Sequence, residues 1–429
     1  MPFKPLALII AIAAAQPLMA QSITPEDYLP FVPEQAALGR VLFYDKILSG
    51  NRNISCGTCH RHALHSSDGL SLGIGEGGAG IGPQRHAIEP IEARIPRNAP
   101  ALWNLGHREV TRLFHDGRVE IAPDGRFRSP AGVLLPEGLN SLLAAQALFP
   151  LSSSVEMAGM PMENTAAAGF AQRIDLGWEV LTARVRSVPG YHAMFTQSFD
   201  HVTRPEDITI TEIANALAAF IGTEWQSHDS PWDDYLNHGT PLPNLAERGR
   251  VLFFGEAGCA ACHNGPLLSD QGFHAIGLPQ FGPGRPFAGN DGPRDLGRME
   301  VSGDESDAYR FRTPSLRNVA LSAPYGHNGA YDTLRDMIHH MCDPITARAN
   351  WTPEKAHLPQ ITGIEADFAL IGNDKEDARI MAALDIIPVH MRDEDIDAIE
   401  AFLHSLTGKS ATTRPMGRPK TVPSGLPVN

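Results

Sequence analysis

Two short stretches of this sequence carry the same chemistry: Cys56-Gly57-Thr58-Cys59-His60 and Cys259-Ala260-Ala261-Cys262-His263. In each, two thiols and an imidazole stand at i, i+3 and i+4, positions that share one face of a helix. Thiols on such a face can form thioethers along one edge of a porphyrin while the imidazole reaches the iron. A zinc site would need four closed ligands in a compact cluster. A redox dithiol would need no histidine after it. Two copies in one chain therefore point to two covalently bound haem c groups. Cys56, Cys59, Cys259 and Cys262 attach them, and His60 and His263 are the proximal iron ligands. The fifth cysteine, Cys342, reads as a small buried hydrophobe.

The elements around the two motifs repeat as well. Gly39-Arg40-Val41-Leu42-Phe43-Tyr44 precedes the first, and Gly249-Arg250-Val251-Leu252-Phe253-Phe254 precedes the second. Pro100-Ala101-Leu102-Trp103-Asn104 leads to His115-Asp116-Gly117, as Pro314-Ser315-Leu316-Arg317-Asn318 leads to His327-Asn328-Gly329. The same elements in the same order mean a duplicated domain. Ile213, Leu217 and Phe220 keep a helical period that Gly222 should close. Asp229-Ser230-Pro231 and Thr240-Pro241-Leu242-Pro243-Asn244 then read as a linker. Ile396, Ile399, Phe402 and Leu403 line a helix from about Asp393 to Leu406. The expected division is a leader over 1–20, an N-terminal haem domain over 21–240, a C-terminal haem domain over 241–409, and a flexible tail over 410–429.

The chain has 429 residues, 42% hydrophobic and 20% charged, enough for packed cores. Its 35 basic against 49 acidic residues, with no basic run, argue against nucleic acid as a partner. Lys4, the apolar stretch Leu6–Ala15 and Leu18-Met19-Ala20 have the shape of a signal peptide cleaved after Ala20. That stretch is about ten residues, against about 20 needed to span a bilayer. The reading is an exported periplasmic protein with no membrane span.

From about Glu34 to Leu406 the chain resembles the bacterial di-haem cytochrome c peroxidases and their MauG-like relatives. The resemblance rests on Arg97-Asn98-Ala99-Pro100, Phe114-His115-Asp116-Gly117-Arg118, Gln146-Ala147, Glu156-Met157 and Pro324-Tyr325-Gly326-His327-Asn328-Gly329. It implies a mainly α fold of two cytochrome c-like domains with one haem each. The N-terminal haem would react with H2O2 to form high-valent iron, and the C-terminal haem would store or relay electrons. The redox partner would be a protein: a small cytochrome or cupredoxin in a peroxidase, or a substrate whose aromatic residue is oxidised in a MauG-like enzyme. A bare di-haem electron carrier is the non-enzymatic alternative.

The family match assigns catalysis to Glu156, six residues after Pro150. A carboxylate in an apolar pocket can carry a proton between the two peroxide oxygens if burial raises its pKa. Phe149, Pro150, Val155 and Met157 supply such surroundings, and Gln146 is a second polar lining residue. Met341, fourteen residues after His327, matches an axial methionine, with His339, His340 and Cys342 as rivals. The family's Ca²⁺ site between the domains would fall on Asn98, Ser322 and Pro324.

Three departures matter. His115 stands where the family often has an inter-haem Trp, so it is either the relay or a propionate partner. Glu76, in the Gly73–Gly78 loop, falls where many peroxidases carry a removable distal His, which predicts an open N-terminal haem, with His86 as a substitute ligand. An insertion between Arg118 and Gln146 resembles the branch that contains the methanobactin-associated di-haem enzyme.

Overall fold

A computed structural model describes residues 21–88, 90–91, 93–285, 292–359, 361, 366–413 and 415–428. The proposed leader and its cleavage site lie outside these residues. The fold is mainly helical, with three small antiparallel sheets among the described residues.

Each half is built on one crossed helix pair. In the first, Pro33–Tyr44 packs against Ile210–Glu224; in the second, Asn244–Phe254 packs against Asp393–His404. Glycine makes both crossings close. A Cβ on Gly39 would overlap the main chain of Ala216, and one on Gly249 that of Ala398. The i, i+3, i+4 apolar stripes then bury on each other, as amphipathic helices do. Leu38, Leu42, Phe43, Ala216, Leu217 and Phe220 join the first core, while Phe253, Ile396, Ile399 and Phe402 join the second. The repeated asparagines Asn104 and Asn318 both adopt a left-handed conformation, φ 57° and 59°. Each ties down the chain that leaves its long helix: Asn104 Oδ1 accepts from Ser227 N at 2.7 Å, and Asn318 Oδ1 from Gly408 N at 2.8 Å.

Three expectations need correction. The Ile210–Glu224 helix runs through Gly222 instead of stopping there. That glycine is a contact point, since a Cβ on it would strike the Phe31 ring. Asp229-Ser230-Pro231 is not open linker. Ser230 caps a helix over Pro231–His238, Ser230 Oγ accepting from Asp233 N at 3.2 Å. Trp232 of that helix is 2% exposed and packs in the second core. The tail is not loose either. Ala411 and Val422 are buried, and Met416, Leu426 and Val428 pack beside them on the first core. The chain thus leaves the second half and straps back across the first.

Candidate functional site

The two attachment motifs adopt related turns. Cys56–Cys59 is one turn of α-helix and Cys259–Ala261 a 3-10 turn, and His60 N and His263 N each donate to the first cysteine carbonyl at 2.9 Å. The imidazoles are oriented alike. His60 Nδ1 meets Ser66 O at 2.9 Å and His263 Nδ1 meets Leu268 O at 3.0 Å. A backbone carbonyl at Nδ1 fixes the tautomer and leaves Nε2 as the lone pair for a metal. All five cysteines are free of disulfides. This donor set fits two haem c groups: paired thiols for thioethers, and one imidazole each with Nε2 left free for an iron. One further cluster of potential ligands occurs among the described residues, Cys262, Asp270 and His274. It falls short of a closed zinc site, because His274 Nε2 is held by Asp270 at 2.9 Å and Cys262 belongs to the haem motif.

Glu156 lies in a π-helical turn, Ser154–Ala158, entered through the Pro150–Ser152 turn that follows the Leu142–Ala147 helix. Gln146 is half-buried at the end of that helix. Phe149 and Met157 are buried beside the turn, and the Phe149 ring meets that of Phe114, 6.5 Å between centroids. Burial raises the Glu156 pKa above the ordinary carboxylate range, while the Arg118 and Arg285 guanidinium charges pull it back. Arg118 is itself fixed, stacked 3.5 Å above the Phe114 ring and paired with buried Asp116 at 3.1 Å. The result is a carboxyl in apolar walls with a tuned proton affinity, suited to general acid–base work.

The Gly73–Gly78 loop presses on this turn. A Cβ on Gly75 would overlap the Glu156 main chain, and Glu76 N donates to Val155 O at 3.2 Å. Buried Arg85 clamps the loop by donating to the carbonyls of Ile74, Gly75 and Gly80. Glu76 is tied to Asn53 Nδ2 at 2.6 Å and Asn51 Nδ2 at 3.4 Å. His86 is exposed, its Nδ1 at 3.1 Å from Gln84 O.

In the second half, Met341 is half-buried on the last turn of the Leu334–Cys342 helix. Cys342 packs into the same core as Cys259, which brings this helix end to the second attachment motif. Burial pushes the Cys342 thiol up to about 11, as expected of an inert packing residue. His340 is removed as a rival ligand, because both its nitrogens are engaged: Nδ1 by Tyr331 OH at 2.9 Å and Nε2 by Ile276 O at 2.7 Å. His339 stays half-buried on the same turn.

Between the halves, the main chain of Asn98 is shared by the two repeated histidines. His115 Nε2 donates to Asn98 O at 3.0 Å, and Asn98 N donates to His327 O at 2.8 Å. Burial, with Arg97 nearby, pushes His115 down to about 4, so it is a neutral imidazole. Around it runs a buried ion network. Arg97 pairs with Asp295 at 2.6 Å, with Asp116 and with Glu300, and Arg285 pairs with Asp116. Asn98 Nδ2 donates to Leu70 O at 2.7 Å and Ser71 O at 3.4 Å. Gly329 touches both Ser71 and Pro324, so the Asn98 and Pro324 segments meet. Ser322 lies at the end of the short Val319–Leu321 turn in the same stretch.

Sequence reasoning missed two groups. Arg285 reaches Asp116 across the domain interface, and no motif marks it. The Tyr44–His62–Glu224 chain forms beside the first motif; comparing the repeats residue by residue would have flagged it.

A two-domain helical fold with paired attachment motifs and a half-buried carboxyl, Glu156, in the first half defines a di-haem c-type oxidoreductase. The sequence model of the di-haem cytochrome c peroxidases, CCP_MauG, matches residues 33–240. The methylamine utilization protein MauG of Methylorubrum extorquens is 31% identical over 314 residues, 72% of this chain and 69% of that protein. The cytochrome c551 peroxidase of Pseudomonas aeruginosa is 27% identical over 380 residues, 89% of this chain and 80% of the other. Among solved structures, a MauG-like protein associated with microbial copper homeostasis aligns with a TM-score of 0.61 at 27% identity, covering 94% of this chain and 97% of that one. The chain belongs to the di-haem cytochrome c peroxidase/MauG family, whose members are haem oxidoreductases acting with peroxide. Among the described residues no helix is long and apolar enough to cross a membrane.

Proposed function

We propose that this protein is a periplasmic, MauG-like enzyme that uses hydrogen peroxide to oxidise an aromatic residue of a partner protein. The observation that carries this reading is the loop beside Glu156. The position that bears a removable histidine in many peroxidases is Glu76, and its carboxyl is tied to Asn51 and Asn53. A fixed loop without an imidazole favours an N-terminal site that needs no reductive activation. The haems, when bound, supply the redox centres that accept oxidising equivalents from peroxide. Glu156 takes a proton from one peroxide oxygen and returns it to the other as the O–O bond breaks. Gln146 orients the peroxide, and Arg118 and Arg285 set the proton affinity of Glu156. His60 and His263 would hold the irons of the bound haems, and Met341 would supply a further ligand to the second.

Asn98, whose amide nitrogen is taken by two carbonyls, would offer Oδ1 to a Ca²⁺ ion, with main-chain oxygens of Ser322 and Pro324 as further ligands and water filling the remaining positions. His115, neutral and bonded to main chain, acts as a spacer between the halves and not as an oxidisable relay.

One observation favours a second reading, a cytochrome c peroxidase fed by a small cytochrome or cupredoxin. Met341 falls where the family's peroxidases carry an axial methionine, and a methionine ligand would raise the haem potential, as an electron reservoir requires. Two assays separate the readings. Peroxide-dependent mass change in a candidate partner, without turnover of reduced cytochrome c, is expected of the first; rapid cytochrome c turnover with no modified protein would replace it by the second. Met341→Leu should lower the C-terminal haem potential in either case, and an unchanged potential would remove Met341 as a ligand.

A further inference from the structure

Tyr44 ends the first long helix, is 1% exposed, and lies flat on the first attachment motif. Its ring occupies the space that a side chain at Gly57 would fill. The Tyr44 hydroxyl is hydrogen-bonded to His62 Nδ1, and His62 Nε2 is bonded to Glu224 Oε1 at 2.7 Å. Glu224 is fully buried and also accepts Met416 N at 2.9 Å and Gly417 N at 3.0 Å from the tail strap. A carboxylate at Nε2 requires the proton there, so Nδ1 presents its lone pair and Tyr44 is the donor. The His62 ring is sandwiched, 5.7 Å from that of Tyr44 and 5.2 Å from that of Trp225.

Packing alone does not call for these groups. The crossings superpose Gly39, Ala216 and Phe220 on Gly249, Ala398 and Phe402. The counterparts of Tyr44, His62 and Glu224 are then Phe254, Gly265 and Leu406. At these matching places the second half has an apolar ring, a glycine and a buried leucine. Buried polar groups are costly and cores do without them where they can. Among the described residues, the hydroxyl–imidazole–carboxylate chain occurs only in the half that also carries Glu156.

A buried phenol is hard to oxidise while it keeps its proton and far easier when a base is already hydrogen-bonded to it. We propose that Tyr44 is an electron relay of the N-terminal haem site, reversibly oxidised to a neutral phenoxyl radical. Peroxide takes two electrons and two solvent protons to become two waters. Tyr44 supplies one of those electrons, and the haem irons supply the other. The Tyr44 O–H bond breaks, an N–H bond forms at His62 Nδ1, and the Glu224 carboxylate balances the imidazolium. A one-electron donor, a reduced redox protein or an oxidisable aromatic side chain, then returns the electron, and the proton goes back to the phenol. The strap over Glu224 keeps water from the radical.

This inference rests on peroxide reacting at the N-terminal haem, and one sample tests both. The diferric holoprotein is mixed with one equivalent of H2O2 and freeze-quenched, with optical and electron paramagnetic resonance spectra taken together. A free-radical signal is expected that narrows when the protein carries ring-deuterated tyrosine. Tyr44→Phe, which copies Phe254 of the other half, should abolish it while the haem optical response persists. His62→Gln should cut the radical yield. A signal that survives Tyr44→Phe, or a haem response with no tyrosine-derived radical in the native protein, overturns the proposal. An unchanged yield in His62→Gln overturns the proton transfer. No optical response to peroxide would sink the proposed function as well.

Discussion

The two halves of this molecule are the same scaffold carrying different chemistry. Each crosses two helices at a glycine, turns a left-handed asparagine, and pins its haem-binding histidine through Nδ1 to a carbonyl 2.9 or 3.0 Å away. These shared features are backbone geometry, and they set where an iron can sit. The differences are a few side chains. The first half offers a half-buried carboxyl, Glu156, and the polar chain from Tyr44 to Glu224. The second offers Met341 and, at the matching places, Phe254, Gly265 and Leu406. Duplication supplied two equivalent attachment motifs, and the proposed function assigns the peroxide reaction to the half that carries Glu156.

The sharpest way to break that division is Glu156→Gln. The amide keeps the size and hydrogen bonding of the side chain but cannot carry the proton. The rate of the peroxide reaction, followed by stopped-flow spectroscopy, should fall about 10²–10⁴-fold with the resting haem spectra unchanged. A rate within a few-fold of native would leave the two halves chemically alike.

Next in size is the interface. Arg97 is 6% exposed and faces Asp295, Asp116 and Glu300. Arg97→Met leaves buried carboxylates short of their main cation, a loss of about 3–5 kcal/mol where a buried pair is broken. Chemical denaturation should show it, together with loss of cooperativity between the halves. A variant as stable as the native protein would mean that the network is dispensable and that the halves are joined by apolar packing alone.

How much of this was legible in the sequence follows from the range of each interaction. The attachment motifs are contiguous because one helical turn must present all three groups, so five residues were enough. The duplication was legible for the same reason, since packed glycines and αL asparagines leave fixed residues in fixed order. The tail was misread because its apolar residues, Ala411, Val422, Leu426 and Val428, are spaced among Pro, Gly and Ser with no period; they pack on the core of the other half. Gly222 was misread as a helix stop because its neighbours Phe31 and Gly106 are remote in sequence. Arg285 and Glu224 act on residues 169 and 162 positions away, a reach that no local pattern records.

A smaller effect sharpens what tunes Glu156. Burial raises its pKa, and Arg118 opposes that rise. As a proton acceptor Glu156 must be ionised, so the peroxide reaction should gain rate as pH climbs through a pKa above the ordinary carboxylate range. Arg118→Gln removes a positive charge that favours the ionised form, so the rising limb should move to higher pH. A limb that moves to lower pH, or stays, would show that Arg118 is not what sets the proton affinity of this carboxyl. Asp116 keeps Arg97 and Arg285 in this variant, so the effect of charge is read without dismantling the interface.

The smallest expected effect is none, and it bears on how the first half stays open. His86 lies on the short strand His86–Ala87, paired with Gly78–Ala79 at the end of the loop that carries Glu76. To reach an iron, its imidazole would have to leave the surface while Arg85, the residue before it, lets go of three loop carbonyls. Breaking those charge-assisted bonds inside the protein is costly, each being stronger than a neutral hydrogen bond. His86→Ala should therefore leave the N-terminal haem spectrum and the peroxide rate as they are, in both ferric and half-reduced protein. A shift from low-spin to high-spin haem in the variant would mean that His86 does bind, and that the first half is closed at rest much as Met341 is proposed to close the second.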